Sequence, residues 1–154
     1  MPRTKAYEIE VAALDDVFEL TILARASYDE SVFDKENFKF NTKKVGALID
    51  HTVQSPEFLF LRLSQEEEIV GYFFAAISEC FFALEKQTMC LSWYIKPEHR
   101  GRDNSLTLLN AYEKWAKEGG AVAINMIDIR NKPNKTFEKL GYRVNETTYV
   151  KGVT

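Results

Sequence analysis

The sequence predicts an α/β (α+β) fold in a single domain spanning 1–154, a mixed sheet with helices on both faces in the order β-α-α-β-β-β-α-β-α-β. Three observations carry this. Short apolar runs rich in β-branched and aromatic residues alternate with amphipathic stretches. The segment from Leu91 to Ala116, LSWYIKPEHRGRDNSLTLLNAYEKWA, reads as a strand, a glycine-containing turn and a helix. Ala121–Ile129 is almost continuously apolar, which suits a strand covered on both faces.

Taken in order, Tyr7–Val11 alternates with period two and predicts a half-exposed strand. Asp16 followed by Glu19 resembles a capping box, and Val17, Leu20, Leu23 and Ala24 share one face of the helix behind it. Residues 29–40 are charged and aromatic without a period; Phe33, Phe38 and Phe40 are expected to pack on the core rather than to cover a groove. Asn41 or Thr42 opens a second helix with Val45, Leu48, Ile49 and Thr52 on one face, and Pro56 marks its exit. Phe58–Leu63 and Ile69–Ile77 are strands separated by a polar turn, and Phe81–Lys86 either extends the second or forms a loop. Thr88–Ile95 is the next strand. Pro97 stops it because proline has no N–H for the ladder. Leu106, Leu109, Tyr112 and Trp115 then recur three apart on a helix that Gly119-Gly120 ends. Beyond the apolar run, Asn131 and Pro133 begin a short helix holding Phe137 and Leu140, stopped at Gly141, and Tyr142–Val150 supplies the last strand or strands.

Composition excludes several classes. With 45% apolar and 28% charged residues the chain is of ordinary globular type. No run approaches the ~18 apolar residues of a membrane span, and the first residues lack an apolar leader core. The net charge of −3 disfavours a nucleic-acid binder. Cys80 and Cys90 stand singly, without a C-x-x-C pair, and read as reduced, buried thiols of a cytoplasmic protein; no metal site is expected.

The Leu91–Ala116 layout is that of an anion site. First-turn N–H groups have no intrahelical partner, and the helix dipole favours negative charge there. The spacing is equally that of an ordinary turn capped by Asp103 or Ser105. Within it, Ile95-Lys96-Pro97-Glu98-His99-Arg100-Gly101 resembles the V-x-P-x-x-R-G signature of the GNAT superfamily of acyl-CoA-dependent N-acyltransferases. The family's R-x-x-G-x-G/A loop is matched by Arg100-Gly101-Arg102-Asp103-Asn104-Ser105, with Asp103 in place of the middle glycine. A carboxylate there repels a pyrophosphate, and its Cβ limits close backbone approach. A second match, Asn131…Phe137-Glu138-Lys139-Leu140-Gly141-Tyr142, is similar to the family's N…Y-E-K-L-G-F, with one residue fewer between Asn and the aromatic. The PEHRG…EKWAKEGGA wording is also similar to small stand-alone members encoded by bacterial viruses. The resemblance covers most of the chain, although the N-terminal third matches in element order alone. It implies a mostly antiparallel sheet in which 88–95 splays from 121–129.

The resemblance further implies acetyl-CoA (coenzyme A) as cofactor. Amides of Arg100, Gly101, Arg102, Asp103, Asn104 and Ser105 would hold its pyrophosphate, and main-chain groups of Trp93, Tyr94 and Ile95 its pantetheine arm. Asn131 and Phe137 complete the expected cofactor set. Acyl transfer needs a neutral amine, yet only about one in 10³ lysine-like amines is neutral at pH 7. The family's base positions correspond to Met89 and Leu91 and its usual acid to Phe137, none of which exchanges a proton. Glu79 and Glu85 are the carboxylates left as catalytic candidates, and both also read as solvated hairpin charges. Tyr94, Tyr142 and Tyr149 are expected to be core or sheet residues, and His51 and His99 are given no catalytic role. The expected activity is transfer of an acetyl or other short acyl group to a primary amine. The alternative is a degenerate module that binds coenzyme A or a protein partner without turnover. Expected partners are a small-molecule or protein amine acceptor and a second copy in a homodimer, with no membrane and with nucleic acid disfavoured.

Overall fold

The computed structural model describes residues 5–128 and 134–153. Strand β1 (Tyr7–Val11) leads through a 3-10 turn, Leu14–Asp16, into helix α1 (Val17–Asp29). The Asp16 carboxylate makes no cap bond to α1, contrary to the capping-box reading. It accepts from the Ala13 N–H at 2.8 Å and from Arg62 at 3.0 Å, so it closes the 3-10 turn and ties it to the sheet. Helix α2 (Thr42–Thr52) opens on Asn41, whose side chain accepts from the Lys44 N–H at 2.9 Å.

Strands β2 (Phe58–Gln65), β3 (Glu68–Glu79) and β4 (Lys86–Ile95) follow as hairpins, then α3 (Asn104–Glu118), β5 (Ala121–Asn125) and α4 (Lys135–Lys139). Phe81–Glu85 is the β3–β4 loop, closed by a bond from the Cys80 N–H to the Glu85 carbonyl at 2.9 Å. The sheet order is β1-β2-β3-β4-β5, antiparallel throughout except for the parallel β4–β5 pair. Each face carries its own core. Leu61, Leu63, Val70 and Phe73 meet Leu108, Leu109 and Tyr112 of α3 on one side. On the other, Phe60, Tyr72 and Phe74 meet Leu20 and Leu23 of α1 and Ile49 of α2. Burial of each such side chain contributes about 1.5–3 kcal/mol. The buried Tyr112 hydroxyl donates to the Asn125 carbonyl at 2.9 Å and is hydrogen-bonded to the Thr88 hydroxyl at 2.8 Å, pinning α3 across β4 and β5.

Two irregularities in β4 shape the site. The β3–β4 register jumps between Phe74, opposite Ser92, and Ala75, opposite Cys90, so Leu91 has no partner and forms a bulge. The β4–β5 ladder runs from Lys86/Ala121 to Met89/Asn125 and stops, so among the described residues Cys90 to Ile95 have no ladder partner on that side. Gly71 on β3 allows the strands to close opposite this stretch, since a Cβ there would lie 2.8 Å from the Tyr94 carbonyl oxygen.

Two expectations fail. Strand β5 ends at Asn125 and is an edge with Val122 73% exposed, so it is not covered on both faces; Ile129 lies outside the described residues. Among the described residues, 142–153 form no strand. Val144, Tyr149 and Val150 of that segment are exposed, so their apolar pattern meets no sheet face.

Candidate active site

A cleft of about 730 Å³ opens where β4 loses β5. Leu91 to Ile95 form its floor. One wall comes from α1, α2 and the chain between them, through Ser27, Tyr28, Glu30, Phe33, Phe40, Val45 and Leu48. The other comes from Arg100, Ser105 and Leu109 at the start of α3, with Asp128, Asn134 and Phe137.

The loop into α3 is built by local bonds. Arg100 donates from Nε to the Ile95 carbonyl at 2.7 Å and from Nη2 to Glu30 at 2.8 Å, and its guanidinium lies 5.4 Å from the Tyr94 ring centroid. Asn104 Nδ2 donates to the His99 carbonyl at 2.9 Å. The Tyr7 hydroxyl hydrogen-bonds His99 Nδ1 at 2.9 Å and accepts from Arg102 at 3.2 Å. Gly101 has φ +75°, a conformation natural to glycine. Asp103 adopts the left-handed region too (φ 59°, ψ 6°) and makes no side-chain cap bond. Among the described residues, no amide from Gly101 to Leu106 donates to a backbone carbonyl; Thr107, to Asp103 at 3.0 Å, is the first in α3 to do so. Six successive N–H groups at the positive end of a helix therefore remain available for an anion.

Trp93, Tyr94, Ile95, Arg100, Ser105 and Phe137 line the cleft, whereas Gly101, Arg102, Asp103 and Asn104 form the turn at its edge without lining it. Asn131 lies outside the described residues. Glu79 ends β3 opposite Lys86 and Glu85 sits in the hairpin loop; both are exposed and neither lines the cleft. The hairpin carries them to the far end of the strands from Ile95 and Arg100. Leu91, one of the expected base positions, lines the cleft with an apolar side chain.

Tyr94 is a sheet residue as expected, on β4, and its side chain is hydrogen-bonded to Glu30, with its hydroxyl pushed up to about 12 by burial and then by the Glu30 carboxylate. Other cleft residues escaped the sequence reading. Hydrogen bonding from Arg100 is the main cause holding the Glu30 carboxyl below its usual value. Asp128 lines the opposite wall and accepts from Asn134 at 2.8 Å. Phe33 and Phe40 line the groove, against the expectation of core packing. Cys90 is buried as expected, its thiol pushed up to about 12 by desolvation. Tyr142 lies outside the lining; its hydroxyl donates to Glu113 at 2.9 Å.

The family profile described as the acetyltransferase (GNAT) family matches residues 19–142. No curated protein sequence gives a significant match. Among solved structures, an aminoglycoside N-acetyltransferase, AAC(6')-Iy, in complex with CoA superposes with a TM-score of 0.79 at 13% identity, covering 98% of this chain and 97% of that one. A ribosomal-protein-alanine N-acetyltransferase from Brucella melitensis biovar Abortus 2308 gives 0.71 at 18% identity, over 97% and 100% of the two chains. A possible acetyltransferase from Clostridium difficile 630 gives 0.71 at 14%, over 96% and 98%. At these identities the likeness establishes the fold, and the profile, matching well over half of the sequence, establishes the family. The chain belongs to the GNAT family of acetyltransferases.

Proposed function

We propose that this acetyltransferase moves an acetyl or other short acyl group from acyl-CoA to a primary amine by direct transfer within the cleft. The supporting observation is that, among the described residues, two stretches without backbone partners flank one cavity: the amides of 101–106 and the edge of β4 from Cys90 to Tyr94 on the side that β5 leaves. Acetyl-CoA is the family's donor, and it supplies the thioester. The residues present fit it. The amides of Arg100 to Ser105 would hold the pyrophosphate, and Trp93 to Ile95 would offer main-chain groups to the pantetheine amides.

The chain's own groups then have distinct parts. The bulge at Leu91 takes one residue out of the ladder beside the cavity, and its main-chain N–H is the proposed donor to a polarised carbonyl oxygen. Tyr94 stays protonated through the neutral range and so donates rather than accepts a proton. Glu30 is held ionised by Arg100 and fixes that side chain, which makes it a poor base. Cys90, buried and with its pKa raised, offers almost no thiolate, so an acyl-enzyme through sulfur is disfavoured. The remaining means are proximity, a dry wall that favours the neutral amine, and water as proton carrier.

The test is thiol release from acetyl-CoA over a panel of primary amines, with the amide identified by mass. Release above background with an N-acetyl product is expected. The second reading, a module that binds without turnover, draws on Phe137 filling the usual acid position in the lining. It would replace the first if coenzyme A binds by calorimetry while no amine releases thiol at any pH that preserves the fold.

A further inference from the structure

The wall of the cleft facing away from the α3 loop is aromatic. Tyr28, Phe33 and Phe40 reach it from the chain between α1 and α2, Leu48 from α2, and Phe60 and Phe74 from the sheet. Phe60 and Phe74 stack with centroids 5.1 Å apart, and Tyr28 and Phe40 lie 5.5 Å apart. Among the described residues, the charged side chains lining the cavity are Glu30, Arg100 and Asp128. Glu30 is joined to Arg100 at 2.8 Å, and Asp128 accepts from Asn134.

This wall suits one class of acceptor. A polycation entering would lose hydration at several ammonium groups, with too few carboxylates to replace it. An amine bearing one charge and an aromatic body would bury its ring against rings. Its nitrogen, desolvated beside them, would lose its proton more readily, which performs the task of the base missing at Met89 and Leu91. From the composition of this wall we infer that the acceptor is a small primary amine on an apolar, aromatic body, of the 2-phenylethylamine type, and not a polyamine or aminocyclitol. The inference rests on the acyl-transfer reading proposed above. In the reaction the nitrogen forms a C–N bond to the acyl carbon as the thioester C–S bond breaks. The sulfur keeps the electron pair and leaves as thiolate, and the surplus proton of the amine passes through water to that sulfur.

The experiment compares kcat/KM for 2-phenylethylamine, spermidine and kanamycin at saturating acetyl-CoA, in the wild type, Leu48→Glu and Phe33→Ala. Leu48 and Phe33 are 44% and 54% exposed, so the core does not depend on either. Phenylethylamine should be preferred, and each variant should raise its KM by roughly tenfold, the equivalent of about 1.4 kcal/mol. Leu48→Glu should also improve spermidine. Preference for spermidine or kanamycin, or an unchanged phenylethylamine KM in both variants, would overturn the acceptor class while leaving acyl transfer standing. If no amine is acetylated, acyl transfer itself fails, and calorimetry with coenzyme A present decides the class. Tighter binding of phenylethylamine than of spermidine upholds it, and any other result overturns it.

Discussion

Asp103→Gly separates the two demands placed on the loop. Asp103 holds φ 59° and ψ 6° and makes no cap bond, so the substitution removes no hydrogen bond from α3. Relief of left-handed strain is worth up to about 1–2 kcal/mol, less for Asp than for other residues. Against it stand about 0.5–1 kcal/mol of glycine chain entropy and about 0.3–1 kcal/mol of lost charge–dipole attraction. The ligand-free protein should therefore change by under about 1 kcal/mol, a Tm shift within about 2–4 °C. Coenzyme A binding should respond more. A carboxylate in the turn beside a doubly charged pyrophosphate would repel it by on the order of 2 kcal/mol. Screening at physiological ionic strength reduces this to about 1 kcal/mol, so Kd should fall about fivefold. Calorimetric titration at about 0.01 M and about 0.15 M salt checks both size and origin, since the gain must be larger at low salt. An unchanged Kd at low salt, or a gain indifferent to salt, would refute a pyrophosphate seated on this loop.

Gly101→Pro should abolish coenzyme A binding, because proline removes one amide and its ring fixes φ near −65°, incompatible with the +75° observed; calorimetry again reports it, with circular dichroism to show the fold intact. Phe137→Tyr should accelerate transfer by about tenfold, below the ~10²–10⁴ of an evolved general acid, because the new hydroxyl has no arranged partner; a rate unchanged or reduced would remove position 137 from proton transfer. Below the pKa of the acceptor, kcat/KM should climb about tenfold per pH unit as the neutral amine accumulates. Tyr94, pushed up to about 12, and Glu30, held low, should add no inflection between pH 6 and 9, roughly the window set by those two directions. Tyr112→Phe should cost about 1–3 kcal/mol by leaving the Asn125 carbonyl without its donor and the Thr88 hydroxyl without its partner, read as a fall in Tm with coenzyme A affinity little changed.

Periodicity made most of the framework legible. Leu106, Leu109, Tyr112 and Trp115 placed α3, and Pro97, Gly119 and Gly120 marked its neighbourhood, because caps and breakers act within a few residues. The turn into α3 was legible for the same reason: Arg100 to Ser105 is one contiguous segment, and its amides are the pyrophosphate site proposed above. What the sequence hid is long-range. Glu30 meets Arg100 across seventy residues, and nothing in the aperiodic stretch around it marks that pairing. The Tyr94 hydroxyl's bond to Glu30 was hidden too, because β-strand alternation does not say which side chains a distant helix will meet. Phe33 and Phe40 read as core for a similar reason, since an aromatic ring buried in packing and one lining a groove leave the same trace in a sequence. The final strand failed in the opposite sense. Tyr142–Val150 has strand-like composition, but a strand needs a partner ladder, and β5 ends at Asn125.

Direct transfer in the cleft is the central claim, and single-turnover mass spectrometry tests it most directly. The protein is mixed with stoichiometric acetyl-CoA and excess 2-phenylethylamine, quenched over time, and both the intact protein and the amide are weighed. N-acetyl amide should appear at the rate of thiol release, with the protein mass unchanged at every time point. Accumulation of an acetylated protein that decays into amide would contradict direct transfer, and release of thiol without amide would contradict amine acylation altogether.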